Sequence, residues 1–230
     1  MWYFDPMYLL LVGPALLLGI VAQLMVSSAF GRYSRIRNSR GLTGAEAAQH
    51  LLLYNELGTV RLEGTSGRLS DHYDPRSDTL RLSMEVARTP SVAALGIVAH
   101  EVGHARQVHS GYGPMRWRAA LVPVASIGSM AGPWLVFLGL LLRFGGLSWA
   151  GITLFSVAAL FYLVTLPVEL NASRRGLAML EHSGLVVAEE MSGARAVLRA
   201  AAWTYVAALL TAVLQLLYFI SLVGGGRRRR

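Results

Sequence analysis

Two histidines four residues apart, the first followed directly by a glutamate, are the residues of this chain with the clearest chemical capacity: His100-Glu101-Val102-Gly103-His104. On a helix, positions i and i+4 share a face with Cβ atoms about 5–6 Å apart, so both imidazoles can reach one tetrahedral cation. Glu101 then lies beside that cation, where a carboxylate can take a proton from water that the metal acidifies. Composition does not produce the pattern, because 6 His and 9 Glu in 230 residues would give about 0.006 such arrangements by chance. Packing explains it poorly too, since capped core histidines and a glutamate beside Ile97, Val98 and Val102 would bring in three polar groups that each need a partner. The chain has no Cys, so thiolate sites and disulfides are excluded and any such metal must be held by His and carboxylate.

Two histidines and a water leave a zinc site one protein ligand short. Glu169 is the best-placed candidate: it follows Leu166-Pro167-Val168 and is the first charge after a long apolar run. Asp71 and Asp74 are rival ligands, and a solvated carboxylate favoured by the macrodipole at a helix start is the plain alternative for Glu169. Ser173, one helical turn beyond Glu169, can orient a ligand. His72, Tyr73, Arg174 and Tyr205 are candidate donors to a transition-state oxyanion. Their ordinary readings are a turn for the first two, a lipid-facing charge for Arg174 and an interfacial anchor for Tyr205. His50, His109 and His182 read as structural or solvated.

The elements that must position these groups follow from local pattern. After Pro90, Ser91 can cap a helix running to about His109, stopped by Gly111 and Pro114, and this helix carries the histidine pair. Thr43-Gly-Ala-Glu46 is a capping box that opens a helix over about 43–57, before Gly58. Thr59–Glu63 and Thr79–Ser83 alternate with period two and predict a small sheet, with Asp71-His-Tyr-Asp-Pro75 as a loop between them. Thr79–Ser83, just ahead of the histidine helix, could pair an extended peptide along its edge.

The 34 charged residues avoid four windows, 6–31, 119–142, 144–168 and 200–226. Each exceeds the roughly 20 apolar residues that a helix needs to cross about 30 Å of hydrocarbon. The other 128 residues hold all 34 charges, a density normal for a water-facing domain. The architecture expected is a mainly α membrane protein: four transmembrane helices, a small α+β domain over 32–118, a helical segment over 169–199 carrying the third ligand, and a basic tail over 227–230. Positive charge follows the first window, so that window reads as a retained anchor rather than a signal peptide, with Trp2, Tyr3 and Phe4 in an outer aromatic belt. Ten Arg near span ends then fall on the side of 32–118 and 169–199, against five opposite, which makes that side cytoplasmic. The Arg227–Arg230 tail argues the other way for the fourth span. The net charge of +8 does not signal nucleic acid, since no long basic face with interleaved aromatics emerges. All 21 basic residues are Arg, which reads as a compositional bias.

The order of an anchor, Gly41-Leu-Thr-Gly44, Asp71-His-Tyr-Asp-Pro75, His100-Glu-Val-Gly-His104 and Leu166-Pro-Val-Glu-Leu-Asn-Ala-Ser173 resembles the YugP-type membrane zinc metallopeptidases of bacteria over nearly the whole chain. More remotely it resembles HtpX-like and CAAX-prenyl endopeptidases, whose third ligand opens a Glu-x-x-Ala-Asp segment. Glu169 and Ala172 match that segment, while Ser173 stands where the wider group has Asp. The resemblance implies a zincin-like (gluzincin) domain at the bacterial inner membrane. It implies zinc and transfers the third-ligand assignment to Glu169, but it implies little about substrate. Together with the residue and charge readings above, the expectation is one zinc per chain held by His100, His104 and Glu169, with Glu101 as general base, acting on a protein or peptide substrate at the cytoplasmic membrane face. Oligomers or partner membrane proteins are left open. A zinc-binding scaffold without turnover and a divalent-metal transporter are the rival functions, although transport would need ionisable groups within the spans and the windows hold none. A purely intramembrane protease would need a metal helix apolar all around, unlike residues 91–110.

Overall fold

A computed structural model describes residues 5–225; Trp2, Tyr3, Phe4 and the Arg227–Arg230 tail lie outside them. Ten elements follow in chain order: α1 (Pro6–Tyr33), α2 (Gly44–Tyr54), β1 (Arg61–Thr65), β2 (His72–Asp74), β3 (Thr79–Ser83), α3 (Met84–Arg88), α4 (Val92–His109), α5 (Gly113–Leu141), α6 (Gly145–His182) and α7 (Ala188–Gly225). The chain divides into two compact units. One comprises the residues up to Ala22, Arg116–Pro167 and those from Trp203; the other comprises Gln23–Met115 and Val168–Ala202.

Among the described residues, the first unit is helical apart from Asp5 and the turn at 142–144. Helices α1, α5, α6 and α7 are each long and apolar enough to cross a membrane, yet only 17–39% of their most apolar windows is buried. Leu10, Leu17, Met130 and Leu141 stand exposed, which suits hydrocarbon and not water. Within the unit, α5 and α6 approach through small residues: a Cβ on Gly128 would collide with the Leu154 carbonyl, and one on Gly139 with Ser148. Such close backbone approach replaces the hydrophobic drive that lipid removes. Polar side chains pair internally, with the Tyr8 hydroxyl donating to Gln215 Oε1 at 3.1 Å and the Tyr218 hydroxyl to Asp5 Oδ2 at 2.8 Å.

The second unit has its own core, built from α2, the sheet, α4 and the polar stretches of α6 and α7, with Leu51, Leu80, Leu95, Val98, Val102 and Leu180 fully buried. Helix α2 opens on the expected capping box, Thr43 Oγ1 accepting from the Glu46 N–H while Glu46 accepts from the Thr43 N–H. It stops at Tyr54 rather than 57, because Asn55 caps it and Glu56 turns left-handed at φ 59°. Helix α4 matches its expected span: Ser91 accepts from the Ala94 N–H, and Gly111 leaves the end at φ 65°.

Two expectations about the sheet fail. Residues 71–75 are not simply a loop, because His72–Asp74 form β2, and three residues are too few for an alternating pattern to show. The strand order is β1-β3-β2, with β3 parallel to β1 and antiparallel to β2. Thr79–Ser83 is therefore the central strand, hydrogen-bonded on both sides, and has no open edge for a peptide; β2 and β1 are the edges. Helix α6 runs unbroken through Pro167, so Glu169 is a mid-helix residue and not the start of a new helix.

Candidate metal centre

The metal-binding geometry begins with two glycines. A Cβ on Gly103 would collide with the Ala172 carbonyl of α6, and one on Gly176 with the Ala99 carbonyl of α4. The two backbones thus touch where α4 presents the histidine pair and α6 presents Glu169. Helix α7 closes on α4 in the same manner, an added Cβ at Gly96 meeting Ala194 Cα at 3.2 Å.

This crossing brings His100, His104 and Glu169 together, with one ligand atom of each within 4.8 Å of the others. Glu169 Oε2 lies 3.1 Å from His100 Nε2 and 3.4 Å from His104 Nε2. Zinc bonded to nitrogen and oxygen at about 2.0–2.2 Å in a tetrahedron sets its ligand atoms roughly 3.3–3.6 Å apart, so the observed spacing is within a few tenths of an ångström of what one such ion needs. The imidazole rings stand nearly perpendicular at 83°, centroids 4.7 Å apart. His104 and Glu169 are buried, whereas the His100 side chain keeps 12% of its surface. Each imidazole is held from behind: His100 Nδ1 lies 3.0 Å from Ser173 Oγ, and His104 Nδ1 lies 3.0 Å from Gln107 Oε1. Both Nε2 atoms are thereby turned toward Glu169, as a donor set for a borderline-soft cation requires.

Glu101 faces the sheet. Its Oε2 accepts the backbone N–H of Tyr73 at 2.9 Å, so edge strand β2 holds the carboxylate. Burial pushes its carboxyl up to about 7, with the Glu169 and Asp71 charges adding to the rise and His100 and the Tyr73 N–H opposing it.

The other sequence candidates divide. Ser173 is brought to His100, its Oγ within hydrogen-bond distance of Nδ1. Tyr73 lies at the site through its backbone, while its hydroxyl donates to Asp78 Oδ1 at 2.6 Å. His72 is exposed and donates through Nδ1 to the Ser70 carbonyl. Arg174 is exposed on α6, and Tyr205 belongs to the other compact unit. Neither rival carboxylate joins the histidines: Asp71 accepts from the Ser83 N–H and hydroxyl, and Asp74 accepts from Arg76, Ser77 and Arg81. His109, read as structural, donates to Asp78 at 3.0 Å. Sequence reasoning missed Gln107, Gly103 and Gly176. The available signals were a glutamine one turn past His104 on the same face and glycines within otherwise helical runs.

The chain combines four membrane-length helices with a His–His–Glu cluster that could hold a metal ion and an adjoining glutamate. It belongs to the family described as "Putative neutral zinc metallopeptidase", which matches residues 8–224. It is 41% identical over 221 residues to a protein of Bacillus subtilis (strain 168) named "Putative membrane protease YugP", covering 96% of this chain and 98% of that relative. No solved structure matches it.

Proposed function

We propose that this chain is a gluzincin-type zinc endopeptidase that cleaves protein or peptide substrates at the cytoplasmic face of the bacterial cell membrane. The observation that carries the reading is a His100–His104–Glu169 cluster whose atom spacing suits one zinc ion, with Glu101 next to His100 in the chain and near enough for the His100 and Glu169 charges to act on its carboxyl. When bound, zinc would acidify water and polarise a peptide carbonyl. His100, His104 and Glu169 would hold that one ion. Glu101 accepts the proton of the attacking water and passes it to the leaving amine, the work of a general base that becomes a general acid. The Tyr73 N–H keeps one carboxylate oxygen in place during both transfers, so the other is left for the proton. Ser173 holds the His100 ring against rotation.

Metal content and cleavage measured side by side decide between this enzyme and a zinc-binding scaffold without turnover. The substrate is an unstructured polypeptide tethered to the membrane. Wild type should carry about one zinc per chain and cleave; Glu101→Gln should carry the same zinc and not cleave. Cleavage retained by Glu101→Gln would remove Glu101 from the mechanism, and zinc without cleavage in wild type would favour the scaffold.

A further inference from the structure

Gln107 has no exposed surface, and its amide is engaged at both ends. The nitrogen donates to the Val168 carbonyl at 2.8 Å and to Asn171 Oδ1 at 3.0 Å, and the oxygen lies 3.0 Å from His104 Nδ1. A backbone carbonyl can only accept, so Val168 decides which end of the amide is nitrogen; the flipped amide would set two oxygens against each other in a buried place. The amide oxygen therefore faces His104, and it too can only accept. His104 must carry a proton on Nδ1. In the neutral ring this leaves the lone pair on Nε2, the atom 3.4 Å from Glu169 Oε2.

The acceptors on α6 flank Glu169, one residue before it and two after. Asn171 Oδ1 is itself held by Arg175 Nε at 2.8 Å, and Arg175 Nη1 returns to Ser110 Oγ at the end of α4 at 3.1 Å. The Arg175 guanidinium also lies over the Tyr112 ring, 5.5 Å from its centroid. Two helices that approach through glycine are thus clipped by a closed ring of hydrogen bonds. We propose that Gln107 is a positioning residue that sets the tautomer of His104 and fixes the metal helix to the turn of α6 carrying Glu169. This rests on the reading of His100, His104 and Glu169 as metal ligands.

The test uses the full chain in nanodiscs, with ¹⁵N-labelled histidine and zinc affinity measured by chelator competition for wild type, Gln107→Leu and Gln107→Glu. Metal-free wild type at pH 8 should show His104 protonated on Nδ1; the opposite tautomer, or a mixture, would overturn the proposal without requiring any variant to fold. Gln107→Leu should weaken zinc binding about 10–100-fold, the usual effect of losing an outer-shell partner. Gln107→Glu keeps an acceptor toward His104 but sets an oxygen against the Val168 carbonyl and Asn171 Oδ1, so it should keep the Nδ1-protonated tautomer and still lose the clip to α6 and part of the zinc affinity. A His104 tautomer unchanged in Gln107→Leu would reduce Gln107 to packing, and wild-type affinity in Gln107→Leu would also sink the idea. Failure of wild type to bind zinc would instead remove the metal reading, and the tautomer would still judge the Gln107 geometry.

Discussion

Glu101 meets two opposed demands. As the proposed base it must be ionised, yet burial pushes its carboxyl up to about 7 in the metal-free protein. The folded state then binds a proton that the unfolded chain releases near 4.3, so the metal-free fold loses stability as pH rises from about 4.5 to 7. Glu101→Gln removes that loss. Its metal-free form should be more stable than wild type at pH 8, by roughly 1–3 kcal/mol, and no more stable at pH 4, read from unfolding curves at each pH; equal stability at both values would contradict the burial argument. A dication beside Glu101 favours the carboxylate. The acid limb of kcat/KM in the zinc form should accordingly fall between about 4.5 and 7, with activity lost below it. The same dependence on residue chemistry predicts that Glu169→Ala lowers zinc occupancy, read by metal analysis; full occupancy would reopen the search among Asp71 and Asp74.

At the scale of elements, the crossing of α4 and α6 sets two tendencies against each other. Alanine favours a helix over glycine by about 1 kcal/mol, so helical propensity alone makes Gly103→Ala stabilising. The structure requires the reverse, because the new Cβ would meet the Ala172 carbonyl. Gly103→Ala should keep its helical circular dichroism while losing zinc affinity and melting temperature. Gly19→Ala, where nothing lies within 4 Å of the added Cβ, should leave both unchanged. Elements with strong local signals were legible: the capping box of α2, the Ser91 cap of α4 and the four apolar windows. β2 was not, since its three residues become a strand only by pairing with β3, and the same pairing removes the open edge expected of Thr79–Ser83. The continuity of α6 escaped notice because Pro167 and the change from apolar to charged residues both look like a boundary.

For the whole molecule, the absence of Cys allows a clean test of sidedness. Ser66 is exposed beyond β1, and Ser66→Cys should react with an impermeant thiol reagent only after the cells are opened; labelling of intact cells would invert the proposed orientation. His100, Glu101, His104 and the four apolar runs were determined by the sequence alone, because a four-residue spacing and a length of hydrocarbon are properties of one segment. Glycine contacts, by contrast, depend on which backbones meet. Only the tertiary structure decided that the acid 69 positions from His100 joins the histidines while Asp71 and Asp74 turn elsewhere, that Tyr73 serves through its N–H, and that Gln107 faces His104. Each of those depends on two distant segments sharing a few ångströms, and no local pattern in either segment encodes that distance.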